Sequence, residues 1–593
     1  MIVERLSQLR EEMKKEGMQG YIVPTSDFHE TEYVCEYFAC REYMSGFTGS
    51  QGVLVVLEDQ AALWTDGRYF IQAAQQLEGT TIELMKQGME GTPSIEDYIL
   101  SHVTENGCVG FDGRVMNINS ARTYQRIFKE KNISLKTTED LVSRIWTDRP
   151  MLPHTKTFHY DEKYAGYSIG EKLEKVRHEM KTNHAQTLVL TKIDEIAWLY
   201  NIRAFDIPFY PVALAYSIVT LDGGVLYIDD SRLDEESRTL LAQNHIEVKG
   251  YNDIYADCAT LEGTVWIDPA SINAALVWAM HVDFVEAPSP VILLKSMKSE
   301  VELENTRKAH IKDGVACTKF MYWLKKNVAS GNLTELVAQE KLREFRQSMQ
   351  GYLEDSFATI CAYREHAAMM HYHSTEETSV VLKPEHLLLV DSGGQYLEGT
   401  TDITRTYCLG PISEEEKYWF TLALKGHIRL ERANFLYGCR GINLDILARG
   451  PLWDQAMDYQ CGTGHGVGHL SNVHEAPNGF RWRIVPERND SCVLEEGMLQ
   501  SNEPGVYMEG KFGIRHENEM VVRKGVKNFY GQFMHFENIT FVPFDVEGID
   551  TSLLDKEELA WLNQYHQEVY EKISTYLEPE EAAWLKEVCA PLQ

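Results

Sequence analysis

What most constrains this chain is how it is punctuated. Two proline-bearing stretches, DRPMLP at 148–153 and APSP at 287–290, interrupt an otherwise steady alternation of short apolar runs and helical patterns. A chain of 593 residues exceeds what one hydrophobic core supports. The two breaks therefore read as linkers between three domains, 1–150, 151–298 and 299–593. In the first domain GYIVP (20–24), GVLVVL (52–57) and AALWT (61–65) have the length and apolarity of buried strands. They follow a helix that carries Ile2, Leu6, Leu9 and Met13 on one face and stops at Gly17. The second domain restates the theme with TLVL (187–190), a helix over 194–201, SIVT (217–220) and GVLYI (224–228). LWTD at 63–66 and LYID at 226–229 each follow a strand and a turn, which predicts two α/β domains related by duplication. A long helical pattern then starts after Ser299, an N-cap residue, and runs to about Leu324. Beyond Phe357 hairpin-like segments and glycine-rich turns take over, and the chain closes in helices with Leu559, Leu562, Tyr565 and Val569 along one stripe.

Composition narrows the function. Lys plus Arg number 57 against 89 Asp plus Glu, a formal charge of -32, so the field repels phosphate backbones and anionic lipid. That argues against nucleic acid and membrane surfaces as partners. Eleven cysteines without a CxxC pair disfavour both a disulfide framework and a zinc knuckle. The N-terminal residues lack the continuous apolar stretch of a signal peptide, and no run approaches the roughly 20 apolar residues of a membrane span. The expected location is the cytoplasm.

The chemistry gathers in the third domain. In VDSGGQYLEGTTDITRTY, from Val390, Asp391 and Asp402 stand 402 − 391 = 11 residues apart about a turn-like centre between Tyr396 and Leu397. Strands folded about that centre would bring the two carboxylates together, where like charges repel unless a cation or a shared proton intervenes. A second segment repeats the pattern, with Glu503 and Glu517 centred on Gly510 in EGK (509–511). One such pair is more simply a solvated hairpin face; two centred pairs in one domain favour a metal. Between them, CGTGHGVGH places His465 among Gly462, Gly464, Gly466 and Gly468, where backbone can approach closely. A nucleotide loop is the competing reading of these glycines, and it fails because no strand, glycine loop and helix surround them in that order. Four carboxylates and an imidazole suit Mn²⁺, Fe²⁺, Co²⁺ or Zn²⁺. Two such ions would activate water and polarise a carbonyl, so hydrolysis is the expected reaction. Neither a GxSxG elbow nor an HExxH zinc motif is present to support another hydrolase class.

The segments DSGGQYLEGTTDITRT, GTGHGVG, NVHEAP, NEPG and GIRHEN resemble the pita-bread metallopeptidases, specifically the long, three-domain aminopeptidase P (Xaa-Pro aminopeptidase) type. SGFTGSQGVLVV, ALWTDGRYF, IWTDRP and DEIAWLYNIR extend the likeness over nearly the whole chain. The resemblance implies two related N-terminal α/β domains, the first creatinase-like, before a pita-bread catalytic domain with a helical tail. It also implies two metal ions, usually manganese, a homodimer, and peptides with proline at the second position as substrates. By its motifs Asp391 binds one metal, Asp402 and Glu517 bridge both, and His465 and Glu503 complete the second site. A metal-bridging hydroxide is then the nucleophile and Glu503 the general base. His371 and His474 match histidines that contact the scissile peptide or its oxyanion, Arg515 would orient a ligand carboxylate, and Arg68 matches a position near substrate. Cys461 departs from the pattern: it stands where a histidine is usual, four residues before His465, while His469 lies four after and Gln460 is next to it. Two alternatives share the fold, a prolidase acting on Xaa-Pro dipeptides and a metal-free pita-bread binding module; the intact ligand set weighs against the second.

Overall fold

A computed structural model describes residues 1–485 and 490–593. Two compact units emerge, Met1–Glu162 with Tyr167–Ile292, and Lys163–Gly166 with Leu293–Gln593.

The first unit begins with helix α1 (Ile2–Lys15), which buries Leu6, Leu9 and Met13 and ends where Gly17 takes φ +69°. Six strands follow: β1 (Gly20–Pro24), β2 (Val53–Leu57), β3 (Ala61–Thr65), β4 (Glu83–Lys86), β5 (Cys108–Gly110) and β6 (Ser134–Lys136). They form one sheet in the order β4-β3-β2-β1-β5-β6, with β1, β2 and β3 antiparallel and the outer pairs parallel. A second sheet is built from β7 (Thr187–Leu190), β8 (Tyr216–Thr220), β9 (Gly224–Tyr227), β10 (Ile246–Lys249), β11 (Thr264–Ile267) and β12 (Asp283–Glu286). Its order, β10-β9-β8-β7-β11-β12, repeats the same succession of antiparallel and parallel pairs. The central strands are covered on both faces, which is why they read as continuous apolar runs rather than as alternating ones. Asp66 and Asp229, the equivalent residues after β3 and β9, both accept the backbone N–H two residues on, from Arg68 (3.1 Å) and Ser231 (2.9 Å). The two sheets are therefore one fold used twice.

The second unit opens with α2 (Glu300–Asn327), whose start is fixed by a reciprocal cap: Ser299 accepts from the Glu302 backbone while the Glu302 carboxylate accepts from that of Ser299. Helix α3 (Glu335–Gln347) follows. Strands β13 (Ile360–Tyr363), β14 (Leu387–Ser392) and β15 (Ile403–Cys408) pair in sequence order, all antiparallel. Helices α4 (Glu414–Glu431) and α5 (Gly441–Trp453) pack on each other. A six-stranded sheet includes β16 (Gly464–Gly466), β17 (Glu475–Phe480), β18 (Leu499–Asn502), β21 (Asn518–Asn528) and β22 (Gly531–Asn538). Between β18 and β21 the chain makes a separate ribbon, β19 (Gly505–Met508) and β20 (Phe512–Arg515). Helix α6 (Lys556–Ile573) buries Leu562, Tyr565 and Val569 against this unit, so that apolar stripe is core. All eleven cysteines are free, and no described helix is long and apolar enough to cross a membrane.

Candidate metal centre

The first carboxylate pair is carried by β14 and β15, with a register that differs from the one expected. Asp391 lies opposite Thr404, and Gln395 opposite Thr400, which centres the turn between Leu397 and Glu398 rather than between Tyr396 and Leu397. The shift is two residues in pairing, so Asp402, just before β15, stays on the same face and becomes a diagonal neighbour of Asp391. Glu503 and Glu517 fit their expected centre: Asn502 pairs with Asn518 and Gly505 with Arg515, both symmetric about Gly510. The two glutamates sit where one ribbon ends and the main sheet begins.

His465 is the middle residue of β16. A Cβ on Gly464 would stand 2.0 Å from the Ser501 carbonyl, and one on Gly466 would stand 2.4 Å from that of Glu475. The glycines thus let three strands close around one imidazole. Its Nδ1 lies 2.9 Å from the Gly466 carbonyl, which can only accept, so Nδ1 carries the hydrogen and Nε2 faces the acids. Nε2 is 3.3 Å from Glu503 Oε1 and 3.5 Å from Asp402 Oδ2. One ligand atom each from Asp402, His465 and Glu517 all lie within 4.8 Å of one another. Asp391 Oδ2 is held at 2.5 Å by Arg515 Nη2, and that guanidinium also donates to Tyr507 Oη (2.6 Å) and Thr404 Oγ1 (3.2 Å).

The charges conflict as a metal-binding set should. Burial, with Asp391 and Glu503 nearby and only partly offset by His465, pushes the Asp402 carboxyl up to about 7. Burial and then the charges of Asp402 and Asp391 hold Glu517 well above the usual carboxylate range. Burial also opposes ionisation of Glu503 and His465, but their mutual contact outweighs it, keeping Glu503 low and His465 high. Asp391 Oδ1 and Asp402 Oδ1 are buried without a hydrogen-bond partner. A cation among these donors would satisfy both oxygens and neutralise the repulsion, so the residues present fit a metal.

His474 stands with its ring perpendicular to that of His465, centroids 4.4 Å apart. His371 follows Met370, whose carbonyl is 3.4 Å from Arg515 Nη2. Arg68 belongs to the first unit, where it makes a bidentate pair with Asp66 (2.8 and 2.9 Å) beside Glu32. His469 does not take the place of the missing histidine: its ring is spent on Thr306 Oγ1 (3.1 Å) and the Tyr164 carbonyl (3.0 Å). Gln460 is exposed. Cys461 is half-buried, its thiol pushed up to about 11 by burial and by the Glu503 charge.

Several supporting residues escape sequence reasoning. Thr404 donates to Glu517 Oε2 (2.7 Å), Ser501 links the His465 backbone to Glu503, and Glu519 accepts the Asp402 backbone N–H at 2.7 Å. His310, from α2, lies 3.2 Å from the same Glu519 oxygen. Glu519 had one legible signal, the two-residue step from Glu517 in a strand; a single histidine inside a helix had none.

Family models described as the Creatinase/Prolidase N-terminal domain match residues 5–145 and 148–302, Metallopeptidase family M24 matches 304–524, and the C-terminal region of peptidase M24 matches 532–592. A probable Xaa-Pro aminopeptidase P of Laccaria bicolor is 38% identical, covering 99% of this chain and 93% of its own length. Xaa-Pro aminopeptidase 1 of Dictyostelium discoideum is 36% identical over 100% and 97%. The crystal structure of X-prolyl aminopeptidase from Caenorhabditis elegans, described as a cytosolic enzyme with a di-nuclear active site, superposes with a TM-score of 0.94 at 32% identity, covering 100% of both chains. Two duplicated α/β sheets, a carboxylate and histidine cluster and full-length similarity agree: the chain belongs to the Xaa-Pro aminopeptidase family and is a metallo-aminopeptidase.

Proposed function

We propose that this chain hydrolyses the first peptide bond of substrates with proline at the second position, using two divalent ions held by Asp391, Asp402, His465, Glu503 and Glu517. The observation that carries the reading is the convergence of Asp402, His465 and Glu517 within 4.8 Å, beside buried carboxylate oxygens that lack partners. Two ions, when bound, supply a water ionised at neutral pH and polarise the attacked carbonyl. The preponderance of carboxylates supports manganese as the resident metal. Asp402 and Glu517 would be shared by both ions in this reading, and Arg515 orients Asp391 by donating to its Oδ2. Glu503, low in pKa and in contact with His465, accepts the proton of the attacking water and returns it to the departing proline nitrogen. His371 and His474 bind the scissile peptide or its developing oxyanion. Arg68 is a substrate contact in the same reading.

The three-part division at 1–150, 151–298 and 299–593, a homodimer and a cytoplasmic location complete the proposal. The description of the Caenorhabditis elegans relative as cytosolic supports the last. The test compares Xaa-Pro-Xaa, Xaa-Pro and Xaa-Ala-Xaa with manganese-loaded protein, before and after chelation, and with Asp402→Ala. Chelator-sensitive release of the first residue from the proline tripeptide alone is expected. Cleavage of the dipeptide alone would make the protein a prolidase, and no cleavage with any metal would refute the reading.

A further inference from the structure

A fully buried carboxylate lies away from the metal ligands yet organises the segment that carries His371. Glu335 is the first residue of α3, where the helix N-terminus favours an anion. Its Oε1 accepts from the Tyr363 backbone (2.8 Å) and from His366 Nδ1 (2.9 Å). Its Oε2 accepts from Tyr372 Oη (3.0 Å), Ser374 Oγ (3.2 Å) and the Val380 backbone (3.2 Å). Five donors from one stretch of chain thus end on one side chain. The Glu335 backbone N–H closes the same loop by donating to the Val380 carbonyl at 3.2 Å.

Between β13 and β14 the chain has no regular structure beyond the short turn of helix Arg364–Ala368. A connection of that length is uncommon in a compact domain unless it is functional. His371 lies between its two anchor points. Met370, before it, contacts Arg515 Nη2, the same atom that holds Asp391; Tyr372, after it, is bound to Glu335 and stacks on His366 at 4.5 Å. The segment also lies against β20, where a Cβ on Gly513 would stand 1.8 Å from the Ala367 carbonyl. One end of the His371 backbone is therefore referenced to the metal-ligand carboxylate and the other to Glu335. A carboxylate offers two acceptor oxygens to these five groups, whereas an amide in its place would turn one of them into a donor.

We infer that Glu335 is a positioning residue for the reaction, fixing His371 where it meets the substrate while taking no part in holding metal. The inference rests on the substrate-contact reading of His371. The experiment is a double-mutant cycle of Glu335→Gln and His371→Ala, with kcat and KM on a Xaa-Pro-Xaa peptide, Mn²⁺ affinity by chelator competition, and hydrogen exchange over residues 364–381. In the wild-type background Glu335→Gln should lower kcat by about 10- to 100-fold, the range expected of a misplacement near 1 Å. Metal affinity should stay within about twofold, protection of 364–381 should fall, and in the His371→Ala background the same substitution should cost less than about threefold. If His371→Ala leaves kcat intact, the reading of His371 itself fails. If His371→Ala is impaired but the two effects simply multiply, or if metal affinity falls with kcat, the positioning role of Glu335 fails alone. Should Glu335→Gln not fold, Tyr372→Phe removes one of the five donors and carries the same cycle with a smaller expected loss, about three- to tenfold.

Discussion

Arg405→Met should be among the most damaging single changes behind the site. Arg405 is 1% exposed. Its Nη1 donates to the carbonyls of Thr404 (2.8 Å) and Glu517 (2.6 Å), and its Nη2 to Asn518 Oδ1 (2.7 Å), the Val542 carbonyl (2.8 Å) and Tyr565 Oη (2.8 Å). Its guanidinium also lies over the Phe544 ring at 4.1 Å. It ties the strand after Asp402, the residues around Glu517 and helix α6 to one point. In Arg405→Met the Thr404 carbonyl keeps the Glu517 N–H (3.2 Å) and the Val542 carbonyl keeps the Tyr565 hydroxyl (2.7 Å). The Glu517 carbonyl and Asn518 Oδ1 lose their main donors, at about 1–3 kcal/mol each. With about 1 kcal/mol for the cation–π contact, the loss comes to about 3–7 kcal/mol, a large part of the roughly 5–15 kcal/mol that stabilises a domain. Arg405→Lys should recover little, because a point charge with three donors cannot span five acceptors in a fixed fork. Hydrogen exchange on β15 and β21 and urea unfolding of the full chain read the effect, the catalytic unit's transition being followed separately because a multi-domain chain has no single unfolding free energy. A transition within about 1 kcal/mol of wild type, or unchanged protection of β15 and β21, would refute this accounting of Arg405.

Three further outcomes are expected. Arg515→Lys should weaken Mn²⁺ binding about 10- to 100-fold, since it breaks the fork joining Asp391, Tyr507 and Thr404; unchanged affinity in chelator competition rejects that role. Glu475→Gln should cost about 3–5 kcal/mol in urea unfolding, because it removes the carboxylate with which the buried ammonium groups of Lys295 (2.8 Å) and Lys298 both pair. Burial, aided by the Arg405 charge, lowers His566 to about 3, and its Nε2 accepts the Phe544 N–H at 3.2 Å. Because the unfolded chain binds a proton that the folded chain refuses, this contribution is full above about pH 6.5 and is lost as pH falls toward 3, by up to about 1.4 kcal/mol per unit. His566→Gln should flatten the unfolding-against-pH slope by one proton over that window, and an unaltered slope counts against it.

Much of the architecture was legible because it is local. Periodicity located α1 and the central strands, Ser299 as an N-cap residue marked the start of α2, and the repeat of LWTD as LYID fell on equivalent strands of two sheets with one topology. The symmetry about Gly510 was legible too, because the turn and both strands adjoin in sequence. The other hairpin was misplaced because its register is set from outside. Asp313, paired with Arg346, reaches from α2 to Tyr396 Oη (3.0 Å) and Thr401 Oγ1 (2.7 Å), while Gly393 lets the Thr401 carbonyl approach within 1.8 Å of where a Cβ would be.

By itself, then, the sequence determined the segments, their caps and the residue types able to bind a cation, since those depend on neighbours within a few positions. Only the tertiary structure decided how the acids are tuned and steadied. His310 meets Glu519, Arg405 meets Glu517, Arg515 meets Asp391 and Glu335 meets Val380 across separations that no local pattern records. A buried charge takes its energy from whatever surrounds it in space, so its partners become visible only once the chain has closed around it.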